Sequence, residues 1–163
     1  RKDFLVDPYQ VLEARAAGAG GVLLIARLLS EGQLSEMTAL ARDLGMFVLL
    51  EAFDEADLVR AAPHATAAAA RPPVLLGVNA RDLATLAVDP RRFERLRAAL
   101  PGSAVAVAES GIAGSDDARR VAALGYRMAL AGEVLMAASE PAGAVAALLG
   151  AARAVAEGRC ASA

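Results

Sequence analysis

Apolar residues follow two alternating patterns along the chain. Short runs rich in Val, Ile and Leu are typical of buried strands, and six such runs lie at residues 4–6, 21–26, 46–52, 74–79, 104–109 and 127–132. Stretches with helical spacing follow them, at residues 8–17, 31–44, 55–63, 90–100, 115–124 and 140–156. Asp54 before one helix and Gly45 after another are typical of caps. The chain is therefore predicted to form six β-α units.

Strands that are apolar on both faces and alternate with helices require a parallel sheet covered on its outside. Such a sheet is either open and doubly wound or closed into a barrel. The strands recur roughly every 25 residues, and polar residues end nearly every strand instead of clustering at one switch point, which favours the barrel. A complete barrel needs about 250 residues. The predicted fold class is therefore α/β, an incomplete (β/α)8 TIM barrel over residues 1–156 with a tail at 157–163.

Composition and charge narrow the expected partners. The chain is 56% hydrophobic and 22% charged, as in a globular domain, and its net charge of −2 comes from 17 basic and 19 acidic residues spread among the helices. No basic stripe is present, so we expect no nucleic-acid partner. The longest apolar stretch, residues 18–26, is about half a membrane span, so we expect no membrane partner. The single Cys160 cannot form an internal disulfide, which favours a cytoplasmic setting.

Two charged residues lie where they could reach the mouth of the barrel. Lys2 and Phe4 share one side of the first strand run, and a lysine there could act as a general acid. The alternative is an exposed terminal lysine. Glu51 ends an apolar strand and shares a face with Phe47 and Leu49. A carboxylate in that place is costly unless it has a partner or a task, so the choice is between a functional group and a buried ion pair.

The fourth strand run ends in alternating polar residues. Gly77, Asn79 and Arg81 lie on one face, where the amide can donate and accept hydrogen bonds and the guanidinium can grip a carboxylate. The alternative for Arg81 is a salt bridge to Asp82 or a nearby loop. By contrast, the only histidine, His64, lies on the helix-to-strand side of a unit. That face serves stability in barrels, so we interpret His64 as structural.

The last two strands are followed by glycine-bearing turns. Glu109, Ser110 and Gly111 follow one of them, and Gly132 and Glu133 follow the other. In barrels the loops after the final two strands commonly bind phosphate through backbone N–H groups. Glycines let the backbone approach an anion closely. These turns are therefore predicted to form a phosphate site, with ordinary turns as the alternative.

Four motifs together resemble the indole-3-glycerol phosphate synthase family of tryptophan biosynthesis. They are RKDFLVDPYQV at residues 1–11, GVNARDL at 77–83, AESGI at 108–112 and LAGEVLM at 130–136. The resemblance extends to about residue 154. It implies a lyase that closes an indole ring with loss of CO₂ and water, acts on a phosphorylated small molecule and needs no cofactor or metal.

The resemblance also implies roles for individual residues. The KDF lysine, Lys2, matches the general acid, Glu51 the glutamate of the later proton transfers, and Asn79 and Arg81 the residues that orient the substrate. The remaining matches are predicted to contact the substrate, at Phe4, Glu109 and Leu130, or its phosphate, at Ser110, Gly111, Gly132 and Glu133.

The chain also departs from this family pattern. It has no counterpart of the family's first two strands, and it opens at Arg1 inside a strand-like run, which indicates a fragment of a longer enzyme. Two alternatives remain open: an inactive barrel remnant that acts as an assembly partner, and another phosphosugar lyase or isomerase on the same scaffold. For a fragment, the expected macromolecular partners are the missing N-terminal segment or a second copy at the open strand edges.

Overall fold

Five of the apolar runs form one parallel sheet. The computed structural model describes residues 1–67 and 69–160, in which the strands lie side by side in chain order. All neighbouring strands pair in parallel, so every connection crosses over the sheet, as in a β/α barrel. The strands are β1 Gly21–Ile25, β2 Phe47–Ala52, β3 Val74–Asn79, β4 Ala106–Glu109 and β5 Met128–Leu130.

Most of the helices cover the outer side of the sheet. They are α1 Pro8–Ala16, α2 Glu31–Asp43, α3 Glu55–Ala61, α4 Arg92–Leu96, α5 Ser115–Ala123, α6 Gly132–Met136 and α7 Pro141–Cys160, with short 3₁₀ turns at Ala26–Leu28, Ala62–His64 and Arg97–Ala99. Side chains cap the N-termini of several helices. Asp7 and Ser30, for example, form capping boxes with Gln10 and Gln33, which satisfies donors that the first turn leaves free.

The two faces of the sheet bury separate apolar groups. The outer face packs on the helices and forms the main core, with Val22, Leu24, Val48, Leu50, Val74 and Leu76 among its members. The inner face forms a smaller cluster of Leu23, Ile25, Leu49, Phe53, Leu75 and Val107. Because side chains alternate along a strand, the polar residues that share the inner face emerge at its carboxyl end. The predicted partial parallel barrel of the α/β class is confirmed.

The first predicted strand, at residues 4–6, is wrong. Of residues 1–6, Arg1 is the one that pairs with β1. Its amino group donates to the Gly21 carbonyl, and the Leu23 amide donates to the Arg1 carbonyl. Asp3 then turns the chain, because its side chain accepts from the Phe4 amide and its carbonyl from the next amide. The run therefore leaves the sheet before a strand can form, and Lys2 and Phe4 do not share a side.

The C-terminal part differs from the prediction in two further ways. The loop expected after the last strand contains helix α6, and α7 continues to Cys160 instead of ending near residue 156. Part of the predicted tail is therefore helical, and residues 161–163 lie outside the described residues. In the described part of the chain, no helix is both long and apolar enough to cross a membrane.

Candidate active site

Most of the predicted site residues line one cavity at the carboxyl end of the sheet. The cavity has a volume of about 1010 Å³. Its wall includes nine of those residues, namely Lys2, Asn79, Arg81, Glu109, Ser110, Gly111, Leu130, Gly132 and Glu133. Of the other two, Glu51 touches Lys2, whereas Phe4 is 60% exposed and lies outside the lining. The sheet therefore brings ten of the eleven residues together.

A lysine and two carboxyl groups form the centre of the cavity. Lys2 Nζ lies 3.0 Å from Glu51 Oε2 and 3.9 Å from Glu109 Oε2. Both glutamates are almost completely buried, while the Lys2 side chain is 60% exposed and lines the cavity. The ammonium group therefore links solvent to a buried acidic pair and is placed to exchange a proton with a bound molecule.

Glu109 differs from Glu51 in its surroundings. Its burial, and secondly the nearby Glu51 carboxylate, raise the pKa of Glu109 to about 9. The positive charge of Lys2 opposes this rise but does not cancel it. Glu109 accepts no hydrogen bond from any described residue, and its protonated form can donate one to Glu51. The raised pKa therefore favours the neutral, protonated form of Glu109 beside the Lys2–Glu51 ion pair.

The β3 end holds two of the polar groups in place. The Asn79 side-chain oxygen accepts from the Arg81 amide at 2.9 Å, and Arg92 Nη1 donates to the Asn79 carbonyl at 2.6 Å. Arg81 then reaches across the cavity, where its Nη2 lies 3.1 Å from Glu133 Oε2. The ion-pair partner of Arg81 is thus Glu133 and not Asp82. Sequence reasoning missed Arg92, whose support of the Asn79 backbone has no motif.

The turn after β4 requires unusual backbone geometry. Ser110 and Gly111 both have positive φ, at 62° and 64°. A Cβ atom on Gly111 would lie 3.2 Å from Val88 Cγ1 and 3.3 Å from Ala80 Cβ, so glycine fits there for two reasons. The Ser110 amide donates to the Leu130 carbonyl, which ties the turn to β5. Gly132 opens α6 at the same wall of the cavity.

A second arginine that the sequence did not single out clamps the loop after β2. Arg27 Nε donates to Asp57 Oδ2 at 2.8 Å, its Nη2 donates to Asp54 Oδ2 at 2.6 Å, and its guanidinium lies 4.6 Å from the Phe53 ring centroid. The Phe53 amide also donates to Asp57 Oδ2. This network fixes the chain two residues after Glu51. Across residues 1–67 and 69–160, no cluster of three or more His, Cys, Asp or Glu side chains could hold a metal ion.

Comparisons with solved structures show the fold. A 3-hexulose-6-phosphate synthase from Salmonella typhimurium superposes with a TM-score of 0.70 at 14% identity, and covers 90% of this chain with 68% of its own. A structure titled native KDPGal gives a TM-score of 0.66 at 19% identity, with 96% of this chain and 68% of that one covered. At such identities the likeness concerns the fold alone, which is a parallel β/α barrel in part.

Comparisons of sequence are more specific. The family model for indole-3-glycerol phosphate synthase matches residues 1–148. Enzymes named indole-3-glycerol phosphate synthase are 46% identical over 145 residues in Nocardioides sp., 45% over 148 residues in Variovorax paradoxus and 44% over 150 residues in Rhodospirillum rubrum. These matches cover 89%, 91% and 92% of this chain but 53%, 53% and 55% of the relatives. The chain thus spans about half the length of the curated relatives it matches, and it belongs to the indole-3-glycerol phosphate synthase family.

Proposed function

We propose that this chain supplies the catalytic half of an indole-3-glycerol phosphate synthase. The proposed substrate is 1-(2-carboxyphenylamino)-1-deoxyribulose 5-phosphate, which loses CO₂ and water to give indole-3-glycerol phosphate. One observation carries the proposal: the Lys2 ammonium lies over buried Glu51 at the mouth of the sheet. Lys2 is also the only lysine in a chain with 17 Lys and Arg residues. A lysine can release its proton, whereas an arginine cannot at ordinary pH.

The reaction begins with the formation of a carbon–carbon bond, and this step needs an acid to protonate the carbonyl oxygen. The ring carbon that bears the carboxylate attacks the ketone carbon, and the carbonyl electron pair moves to oxygen, which takes a proton from Lys2 Nζ. Loss of CO₂ returns an electron pair to the aromatic ring. Lys2, reprotonated from solvent, then gives a second proton to the new hydroxyl, which leaves as water, while Glu51 accepts a proton from the neighbouring carbon. The 3.0 Å contact between Lys2 and Glu51 gives a short route for returning that proton.

The other cavity residues are proposed to hold the substrate. Arg81 binds the carboxylate in exchange for part of its pairing with Glu133, and Asn79 orients the reacting ketone. Leu130, on the inner side of β5, packs against the aromatic ring, supported by its place in the cavity wall. The phosphate is assigned to the turns that contain Ser110, Gly111, Gly132 and Glu133. The ring contact proposed for Phe4 has less support, because its side chain lies outside the cavity.

The proposal is tested by supplying the rest of the barrel. We define the completed barrel as this chain joined to the part of the Nocardioides relative that lies outside the aligned 145 residues. Indole-3-glycerol phosphate should form when the completed barrel is mixed with the carboxyphenylamino substrate, as followed by indole fluorescence. The same protein carrying Glu51→Gln and Lys2→Met is the control and should be inactive. A folded completed barrel that converts another phosphosugar but not this substrate would overturn the proposal.

A pH-dependent stability is also expected from Glu109. The pKa of Glu109 is about 9 in the folded protein and near 4.5 without burial. Between these pH values unfolding releases a proton, so the free energy of unfolding should fall as pH rises, by up to about 1.4 kcal/mol per pH unit. Below this range both states hold the proton, and above it neither does.

Urea unfolding of the completed barrel between pH 5 and 8 measures this effect. Glu109→Gln removes the titrating group at nearly equal size and should flatten the fall in stability. Glu36→Gln, which changes an exposed carboxylate on α2, is the matched control and should leave the slope as it is. Equal slopes for Glu109→Gln and the unchanged protein would show that Glu109 is not protonated in the folded state.

A further inference from the structure

A glycine of β3 lies where the inner face of the sheet meets the Glu109 carboxyl group. Gly77 is buried, and it pairs in register with Glu51 of β2 and Val107 of β4. A Cβ atom built on Gly77 would lie 1.9 Å from Glu109 Oε1 and 3.1 Å from Glu109 Cδ and Leu49 Cδ1. Real Cβ atoms essentially never lie within 3.0 Å of an atom to which they are not bonded. The Glu109 carboxyl group therefore occupies the space that any side chain at residue 77 would fill.

The Glu51 carboxylate is the neighbour that can share the proton of the carboxyl group in this recess. Glu109 is 2% exposed, and neither of its oxygens has a hydrogen-bond partner among the described residues. Lys2 Nζ, at 3.9 Å, is beyond hydrogen-bond distance. Two charged groups face Glu109: Lys2 from the N-terminal segment and Glu51 from β2. The neighbouring strands β3 and β5 present the uncharged Gly77 and Leu130.

A buried polar group without a partner is costly in an ordinary core. Here Glu51 can take only the proton of the group, and the group also lines the cavity that contains Lys2 and Asn79, so a bound molecule can donate a hydrogen bond to its remaining oxygen. The recess thus keeps a carboxyl group at one fixed point of the cavity wall. Fixed placement of such a group matters for a reaction, because a shift of about 1 Å can cost roughly 100-fold in rate.

We propose that Gly77 is a positioning residue, whose missing side chain creates the recess that holds the Glu109 carboxyl group against the bound molecule. A methyl group at residue 77 pushes the carboxyl group out of the recess and toward the open cavity. The expected effect of this methyl group on turnover rests on the proposed function. Its expected effect on the titration of Glu109 does not, since titration needs no substrate.

The test combines a space-filling change with a compensating one in the completed barrel. Gly77→Ala fills the recess, and Glu109→Asp shortens the displaced side chain by one methylene, so the double variant has room for both groups. Gly32→Ala on α2, where a Cβ atom meets nothing within 4 Å, is the matched control. Carboxyl ¹³C NMR of glutamate-labelled protein follows residue 109, whose signal is identified by its loss in Glu109→Gln; aspartate labelling follows the double variant.

In the unchanged protein and in Gly32→Ala, the Glu109 signal should titrate well above the usual range of a glutamate, because burial raises its pKa. In Gly77→Ala it should titrate at clearly lower pH, because the carboxyl group becomes hydrated, and kcat should fall roughly 10- to 100-fold. The double variant should regain at least part of kcat. The carboxyl group at residue 109 in that variant should again titrate above the usual range of an aspartate.

Two results would overturn the inference. One is a Gly77→Ala protein with unchanged Glu109 titration and unchanged kcat. The second result applies if Gly77→Ala does not fold, as judged by far-UV circular dichroism. In that case the double variant should fold, because the shorter side chain relieves a steric conflict with Glu109. A double variant that also fails to fold would overturn the inference. An altered Glu109 titration in a completed barrel without synthase activity would support the recess and count against the proposed function only.

Discussion

Lys2→Ala in the completed barrel should lower kcat by about 100-fold or more, the effect expected for loss of a general acid. The lysine ammonium lies 3.0 Å from Glu51, faces the cavity, and is the only lysine of the chain. KM should change less than kcat, since the proposed proton transfer belongs to the transition state and Arg81 with the phosphate turns remains to hold the substrate.

A second substitution separates the proton from the charge. Lys2→Arg keeps a cation beside Glu51, so the buried carboxylate stays compensated, but the guanidinium does not give up a proton at ordinary pH. Its kcat should therefore fall about as far as that of Lys2→Ala. The control is Arg1→Ala, which removes a neighbouring cation that pairs with Asp3 and Glu13 instead. If Lys2→Arg kept kcat within about 3-fold of the unchanged protein, Lys2 would act through its charge alone.

The convergence of the cavity residues could be predicted from the sequence for a simple reason. Parallel strands end at the same edge of a sheet, so a polar residue that follows an apolar run is placed there by topology alone. Asn79, Glu109 and Leu130 line the cavity on that basis, and Glu51 lies beneath it. No knowledge of distances was needed, because strand order and direction decide the edge.

Other features depend on contacts that periodicity does not describe. Phe4 was expected beside Lys2 from strand alternation, but the turn at Asp3 breaks the alternation. Glu133 was predicted to contact the phosphate, and its additional ion pair with Arg81 depends on helix α6, which the sequence pattern did not predict. The fit of the Glu109 carboxyl group over Gly77 requires both the β3–β4 register and the reach of a side chain. A sequence pattern specifies neither of these in advance.

The second large effect concerns the sheet itself, whose edges are open. All three residues of β5 are exposed, with Met128 at 51% and Leu130 at 40%, and among the described residues only Arg1 lies along the outer edge of β1. Unpaired parallel edges with apolar side chains are templates for association. If roughly 400 Å² of apolar surface lacks its cover, at about 25 cal/mol per Å², the missing burial is on the order of 10 kcal/mol. That is comparable with the whole stability of a domain.

The 163-residue polypeptide made alone should therefore self-associate or aggregate and show no synthase activity, whereas the completed barrel should be monodisperse and active. Sedimentation over about 1 to 100 μM distinguishes the two, since association through open edges grows with concentration.

Met128→Lys places a charge on the β5 edge, away from the cavity lining, and should reduce self-association without restoring turnover. Asp116→Lys, an exposed change on α5, is the matched control and should leave association as it is. An active monomer of these 163 residues would contradict both the open-edge account and the need for the rest of the barrel, because it would show that five strands alone can hold the Lys2–Glu51 pair in working geometry.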